Sequence, residues 1–210
     1  MSKLQDVENA VVSGKSKLVA GLVQEALDEG CSAPDILNGM INAMGIVGER
    51  FKKNEIFVPE MLVAARAMKK GVDVLKPHLA SGSAGVCGKA IIGTVAGELH
   101  DIGKNLVAMM IESAGFEVID LGVDVPVEKF IETVKANPDV KIVGCSALLT
   151  TTMPALKSTV EALNSEDFRS HIKVMVGGAP ITQEFADEIG ADAYTPDAAS
   201  AAQKAKELVA

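Results

Sequence analysis

The chain has 210 residues, 48% of them hydrophobic and 23% charged, which allows one large domain or two smaller ones and excludes a disordered polymer. Its net charge of −8, from 28 acidic against 20 basic side chains, comes without a basic patch interleaved with aromatics, so nucleic acid is excluded as an expected partner. No stretch approaches the ~18 uninterrupted apolar residues of a membrane span. The polar N-terminus lacks a signal-peptide core, and Cys31, Cys87 and Cys145 are spaced as reduced thiols rather than as a metal site. These features predict a cytoplasmic protein.

The first eighty or so residues read as helices. Segments 3–12 and 16–29 form the first two, with Gly30 ending the second. Ser32-Ala33-Pro34-Asp35 starts a third, with Ser32 as N-cap and an acid in the first turn. Ile36, Leu37, Met40, Ile41, Met44 and Val47 then recur at the spacing of one buried helical face. Asn54 and Glu55 interrupt it, and Pro59 opens a fourth helix with Leu62, Ala65, Met68, Val72 and Leu75 on its apolar side. Four helices with short turns predict a four-helix bundle. The methionines along it read as adaptable core filler.

Residues 79–88 are small and flexible and predict a linker. After it the period changes. Short β-branched runs at 89–95, 116–121, 140–146, 174–177 and 192–194 alternate with helical sequence, including 105–114 (stopped by Gly115) and 127–136. This alternation predicts an α/β domain with a five-stranded parallel sheet of flavodoxin or Rossmann type. The expected organisation is a helical domain 1–80, a linker 81–88 and an α/β domain 89–210. Such sheets bind ligands at the C-terminal ends of their strands.

The loop after the first strand reads Gly97-Glu98-Leu99-His100-Asp101-Ile102-Gly103-Lys104. Imidazole is a good transition-metal ligand, and a carboxylate two residues earlier can hold its other nitrogen. Gly103 leaves room for something flat to approach. On residue chemistry alone the segment reads equally well as a helix start capped by Asp101 beside an exposed histidine. His78 and His171 read as surface residues, and Glu184, Asp187 and Glu188 as a solvated helix face.

Glu98-x-His100-x-x-Gly103 resembles the Asp-x-His-x-x-Gly signature of cobalamin-binding domains. The His-Asp-Ile-Gly-Lys-Asn run resembles that of methionine synthase and of the corrinoid proteins of methyltransferase systems. Ser146-Ala147-Leu148 is similar to the family's Ser-x-Leu element, and Gly177-Gly178 to its later Gly-Gly element. Asp120-Leu121-Gly122-x-Asp124-Val125-Pro126 is also similar, and residues 39–79 look like the family's helical cap. The resemblance spans nearly the whole chain. It departs at one position, where Glu98 stands in place of the usual Asp.

The resemblance implies a cobalamin or related corrinoid cofactor, passing through Co(I), methylcobalamin and hydroxocobalamin states. His100 becomes the lower ligand of cobalt, with a relay through Glu98 to Thr152. Gly97, Glu98, Leu99, Asp101, Ile102 and Gly103 line the cofactor loop. Ser146, Leu148, Thr150, Thr152, Gly177 and Gly178 also bind the cofactor, whose displaced nucleotide tail passes Ser146, Gly177 and Gly178, although Gly177-Gly178 also reads as an ordinary strand-to-helix turn and Ser146 as a hydroxyl satisfying a strand end. Phe51, Val58 and Met61 cover the methyl group, or else are simple bundle core. The implied function is a methyl carrier, not catalytically complete alone. A substrate-specific corrinoid methyltransferase loads it, a second methyltransferase passes the methyl to tetrahydrofolate or a thiol, and a reductive activase restores it. The alternative within the resemblance is a B12-binding sensor.

Overall fold

A computed structural model describes residues 2–79 and 87–210. Of the expected linker 81–88, only Cys87 and Gly88 lie within the described residues. The chain divides into two compact units, Met1–Val86 with Ser113–Gly115, and Cys87–Glu112 with Phe116–Ala210.

The first unit holds helices α1 (Lys3–Val12), α2 (Ser16–Asp28), α3 (Ala33–Lys52) and α4 (Val58–Leu75). α1 packs on α2 and α3, and α4 packs on α2 and α3, which closes a four-helix bundle. Helix starts follow from local chemistry. The Ser32 hydroxyl accepts the Asp35 amide at 3.2 Å, and the Glu60 carboxylate accepts the Phe57 amide at 3.1 Å. The expected face of α3 is buried throughout. On α4 the buried stripe runs instead through Met61, Ala64, Ala65, Met68, Gly71 and Leu75, while Leu62 and Val72 are only half-buried. Small residues let α2 and α3 approach α4, and alanine and glycine add little to an apolar pattern read by side-chain size.

The second unit is a five-stranded, wholly parallel sheet of β1 (Gly88–Thr94), β2 (Phe116–Asp120), β3 (Val140–Ser146), β4 (Lys173–Gly177) and β5 (Ala193–Tyr194), in the order β2-β1-β3-β4-β5. The intervening helices are α5 (Ile102–Ser113), α6 (Val127–Ala136), α7 (Met153–Asn164) and α8 (Gln183–Glu188), and α9 (Ala198–Val209) ends the chain. β1 and β3 carry runs of buried residues, as strands covered on both faces must.

The chain steps outward from β1 to β2 and then crosses back to β3, so the switch point lies between β1 and β3. The register sets Thr94 beside Ser146, and Ser146 beside Gly177, at the C-terminal edge. Several element ends differ from the sequence reading by a residue, and two differences bear on the site. Val95 has left the strand and makes an isolated bridge with Val125. α5 begins at Ile102 rather than Asn105, because the Asp101 carbonyl already accepts the Asn105 amide at 2.7 Å. Ile102, Gly103 and Lys104 therefore form a first helical turn, not a loop.

Phe130, fully buried, anchors the core on one side of the sheet with Ile91, Val143, Leu156 and Val160. A Cβ on Gly93 would sit 2.7 Å from the Phe130 ring and 3.3 Å from Leu121 Cβ. Gly93→Ala is therefore expected to destabilise the protein by about 1–3 kcal/mol through overpacking. Adding Phe130→Leu should restore part of that loss, a coupling that urea midpoints of the two single variants and the double variant would measure.

Candidate functional site

The connections leaving β1, β3 and β4 meet at the C-terminal edge of the sheet. Val95 donates to the Ser146 carbonyl at 3.1 Å, and Ala147 donates to the Gly177 carbonyl at 3.1 Å, so the three strand ends are laced together. Gly178, at φ +135°, lies against this lacing, and a Cβ there would overlap the Ala147 carbonyl oxygen. Glycine at 178 is demanded by the protein's own backbone.

Glu98 occupies the centre. Its side chain is 1% exposed, and both carboxylate oxygens are fully engaged. Oε1 accepts the backbone amides of Leu99 at 3.1 Å and His100 at 3.2 Å, and lies 2.5 Å from His100 Nδ1. Oε2 accepts the amides of Leu148 and Leu149, each at 3.0 Å, and the Thr152 hydroxyl at 2.8 Å. Burial works against the charged form. The bonds from His100, Thr152 and the amides of Leu148 and His100 outweigh it, and the carboxyl is held well below the usual carboxylate range. The methylene that distinguishes Glu from Asp is absorbed inside the loop. Oε1 folds back on its own chain while Oε2 reaches the loop after β3.

A carboxylate so placed only accepts, so in the neutral ring His100 carries its proton on Nδ1 and keeps its lone pair on Nε2. The ring is 54% exposed. Leu99 and Ile102 on its own segment, and Leu148 and Leu149 on the facing loop, are exposed apolar side chains. Exposed leucines and isoleucines grouped at one edge mark a binding surface. A Cβ on Gly103 would meet nothing within 4 Å, so internal packing does not require glycine there.

The remaining predicted residues are distributed as follows. Ser146 and Gly177 lie side by side in register, and Thr150 starts the short turn that delivers Thr152. Asp101 precedes α5, its carboxylate accepting the Asn105 side-chain amide at 3.0 Å. Phe51, Val58 and Met61 belong to the helical unit, where Met61 is fully buried, Phe51 half-buried and Val58 exposed.

Sequence reasoning gave Lys104 no partner, passed over Thr94, and named Asp124 only as part of the family-like stretch 120–126. The Lys104 side chain is 2% exposed and its ammonium lies 2.6 Å from both oxygens of Asp120, tying the first turn of α5 to the end of β2. The buried Thr94 hydroxyl donates to the His100 carbonyl at 3.1 Å. Neither partnership has a signal in local spacing. His78 and His171 are exposed, as are Glu184, Asp187 and Glu188.

Comparison with known proteins gives this site a family. The B12 binding domain matches residues 88–204, and a second B12 binding domain family matches residues 4–76. The chain belongs to the B12-binding proteins. It is 46% identical, over 99% of its length and 97% of the relative's, to the dimethylamine corrinoid protein of Methanosarcina barkeri. A cobalamin-binding protein from Desulfitobacterium hafniense has a similar structure, with TM-score 0.82, 32% identity and coverage of 99% of this chain and 98% of that one. A chain of the methanol:cobalamin methyltransferase complex from Methanosarcina barkeri superposes with TM-score 0.85 at 27% identity, covering 99% of this chain and 79% of that one.

Two outcomes follow for the apoprotein. Asp120→Ala leaves a buried ammonium without its carboxylate and should cost about 3 kcal/mol, the low end for a broken buried pair because Asp120 is half open to water. Glu98→Gln turns an NH2 group toward N–H donors whichever way it faces, a loss on the order of 3 kcal/mol at neutral pH. Glu98 is depressed in the folded state, so the unfolded chain binds its proton first as pH falls. Its contribution is fully present above the ordinary carboxylate range, near pH 4.3, and is lost as pH drops through and below that range. Stability of the Gln variant should therefore fall less between about pH 6 and pH 3 than that of the wild type. Denaturant titrations at several pH values read both effects.

Proposed function

We propose that this protein is a corrinoid methyl carrier of a multi-component methyltransferase system, with His100 as the residue that would ligate the cofactor's cobalt. The observation that carries the reading is the tethering of one exposed imidazole to a buried, donor-saturated carboxylate, which leaves Nε2 free to ligate. Among the described residues, no three His, Cys, Asp or Glu side chains gather so as to hold a metal. A single histidine suits a metal that arrives with its other ligands, as cobalt does in a corrin ring. The exposed Leu99, Ile102, Leu148 and Leu149 suit the apolar edge of that ring, and open space at Gly103 permits its approach.

Once bound, the cofactor supplies a cobalt centre that takes a methyl group from a donor and yields it to an acceptor. His100 would hold and orient the cofactor. Glu98 fixes the imidazole tautomer, and Thr152 closes the relay. Gly97, Asp101 and Gly103 shape the loop, Leu148 and Thr150 line the cofactor site, and Ser146, Gly177 and Gly178 would receive the nucleotide tail. We assign residues 1–80 as a helical cap domain, 81–88 as a linker and 89–210 as the cofactor domain. By the family resemblance, Phe51, Val58 and Met61 are the side chains that would shield a methyl group on the cofactor. That assignment rests on the resemblance of the helical half to the family's cap and on its match to a B12 binding domain.

The carrier works in the cytoplasm between a substrate-specific corrinoid methyltransferase and a second methyltransferase using tetrahydrofolate or a thiol, and a reductive activase maintains it. Likeness to a chain of the methanol:cobalamin methyltransferase complex supports the first partner. Among the described residues no helix is long and apolar enough to cross a membrane.

Reconstitution with hydroxocobalamin, followed by desalting, should give a red protein whose spectrum shows the nucleotide base displaced by histidine. His100→Ala should retain corrinoid but lose the histidine-ligated spectrum. An unchanged spectrum in that variant would remove His100 as the ligand. Methylation of the reduced protein should require both a donor and its methyltransferase, followed by mass spectrometry of the extracted cofactor.

A further inference from the structure

The side chain of Glu98 is gripped by the loop after β3, but its backbone is gripped from the opposite side, by the turn between β2 and α6. One residue of that turn makes both contacts. The Asp124 carboxylate oxygen Oδ1 accepts the Gly97 amide at 2.7 Å, and the Asp124 amide donates to the Glu98 carbonyl at 2.9 Å. Asp124 thus holds the chain immediately before and immediately after the Glu98 side chain. The turn is itself tied down next door. Val125 pairs with Val95 and donates to the Thr94 carbonyl at 3.0 Å, and Thr94 donates to the Gly122 carbonyl at 3.0 Å.

Asp124 makes these contacts at φ +52°, a left-handed conformation that residues other than Gly, Asn and Asp avoid. Gly97, its partner, sits at φ +76°. The two left-handed residues face each other across a hydrogen bond to a charged acceptor, among the stronger kinds.

We infer that Asp124 is a positioning residue for the Glu98–His100 pair, acting on imidazole orientation without touching the imidazole. His100 is more than half exposed, and the hydrogen bond of its ring runs to Glu98. The ring's direction therefore follows the place of the Glu98 carboxylate. That carboxylate must satisfy His100 on one oxygen and two amides and a hydroxyl of another loop on the other. Sites of this kind tolerate displacements of only about 0.5 Å before the ligand geometry is lost. The Thr94 hydroxyl holds the loop backbone at the His100 carbonyl, and Asp124 supplies the hold at its other end, on the Gly97 amide and the Glu98 carbonyl. The inference rests on the proposed ligand role of His100 for its consequence in the holoprotein, but not for its consequence in the apoprotein.

The test separates the hydrogen bond from the backbone conformation. Asp124→Gly keeps the left-handed turn and removes the acceptor, whereas Asp124→Asn keeps both. In the apoprotein, side-chain 15N shifts of His100 should report a single Nδ1–H tautomer in the wild type and in Asp124→Asn. Asp124→Gly should show a tautomer mixture. After loading with hydroxocobalamin, the ratio of histidine-ligated to unligated protein should fall about fivefold in Asp124→Gly, the worth of one hydrogen bond, and be retained in Asp124→Asn. A merely structural role would lower the unfolding midpoint of Asp124→Gly and leave its tautomer and spectrum as in the wild type, and that result overturns the inference. If Asp124→Gly is too unstable to read in plain buffer, the same readings are made in sucrose or trimethylamine N-oxide, which favour the folded state without restoring the acceptor. Failure of wild-type protein to take up corrinoid would instead strike the proposed function, while the nitrogen shifts still decide the role of Asp124.

Discussion

A carboxylate removed from water must find donors for its lone pairs, and the C-terminal edge of this sheet is built around doing so for Glu98. Six donors converge on it, from its own loop, from the loop after β3 and from His100. The local arrangement depends on that convergence. The amides of Leu148 and Leu149 point inward because the carboxylate is there, Thr152 is buried because its hydroxyl completes the set, and the His100 ring is turned by its Nδ1. Replacing water with fixed dipoles keeps the carboxyl ionised well below the usual carboxylate range and makes the imidazole tautomer definite.

The parallel sheet makes this convergence possible. Only at a switch point do the ends of two adjacent strands leave in different directions and open a gap that their loops can share. β1 and β3 flank that gap, and the register that aligns Thr94, Ser146 and Gly177 brings one loop's carboxylate to another loop's amides, some fifty residues away in sequence. Close contact between β3 and β4 excludes any side chain at Gly178. Lys104 and Asp120 then brace the first turn of α5 against the end of β2 through a charge pair whose ammonium is buried. The site is rigid on its protein side and open, apolar and lightly furnished on the other, which is the asymmetry a cofactor-bearing surface needs.

Amino-acid pattern alone determined the two-part organisation and the parallel sheet, while the histidine and its acidic partner were singled out by the resemblance of their short motif to a known family. Strands buried on both faces must be continuous β-branched runs, and bundle helices must show a three-and-four spacing; both are local periodicities and survive in one dimension. Glu98 and His100 stand two residues apart, so their partnership was also local. The start of α5 was misread because a polar, glycine-bearing first turn has no apolar period, although the Asp101 carbonyl had already begun the helix. The buried stripe of α4 was shifted because alanine and glycine do not weigh in a pattern judged by side-chain size.

Only the tertiary structure decided the remainder. The Leu148 and Leu149 amides on Glu98, the Lys104–Asp120 pair and the hold of Asp124 on Gly97 join positions between 16 and 51 residues apart. The groups are backbone amides and ordinary polar side chains with no periodicity, and what pairs them is the order in which strands lie in the sheet. That order is set by how the whole chain buries its apolar faces, and no short window of sequence contains it.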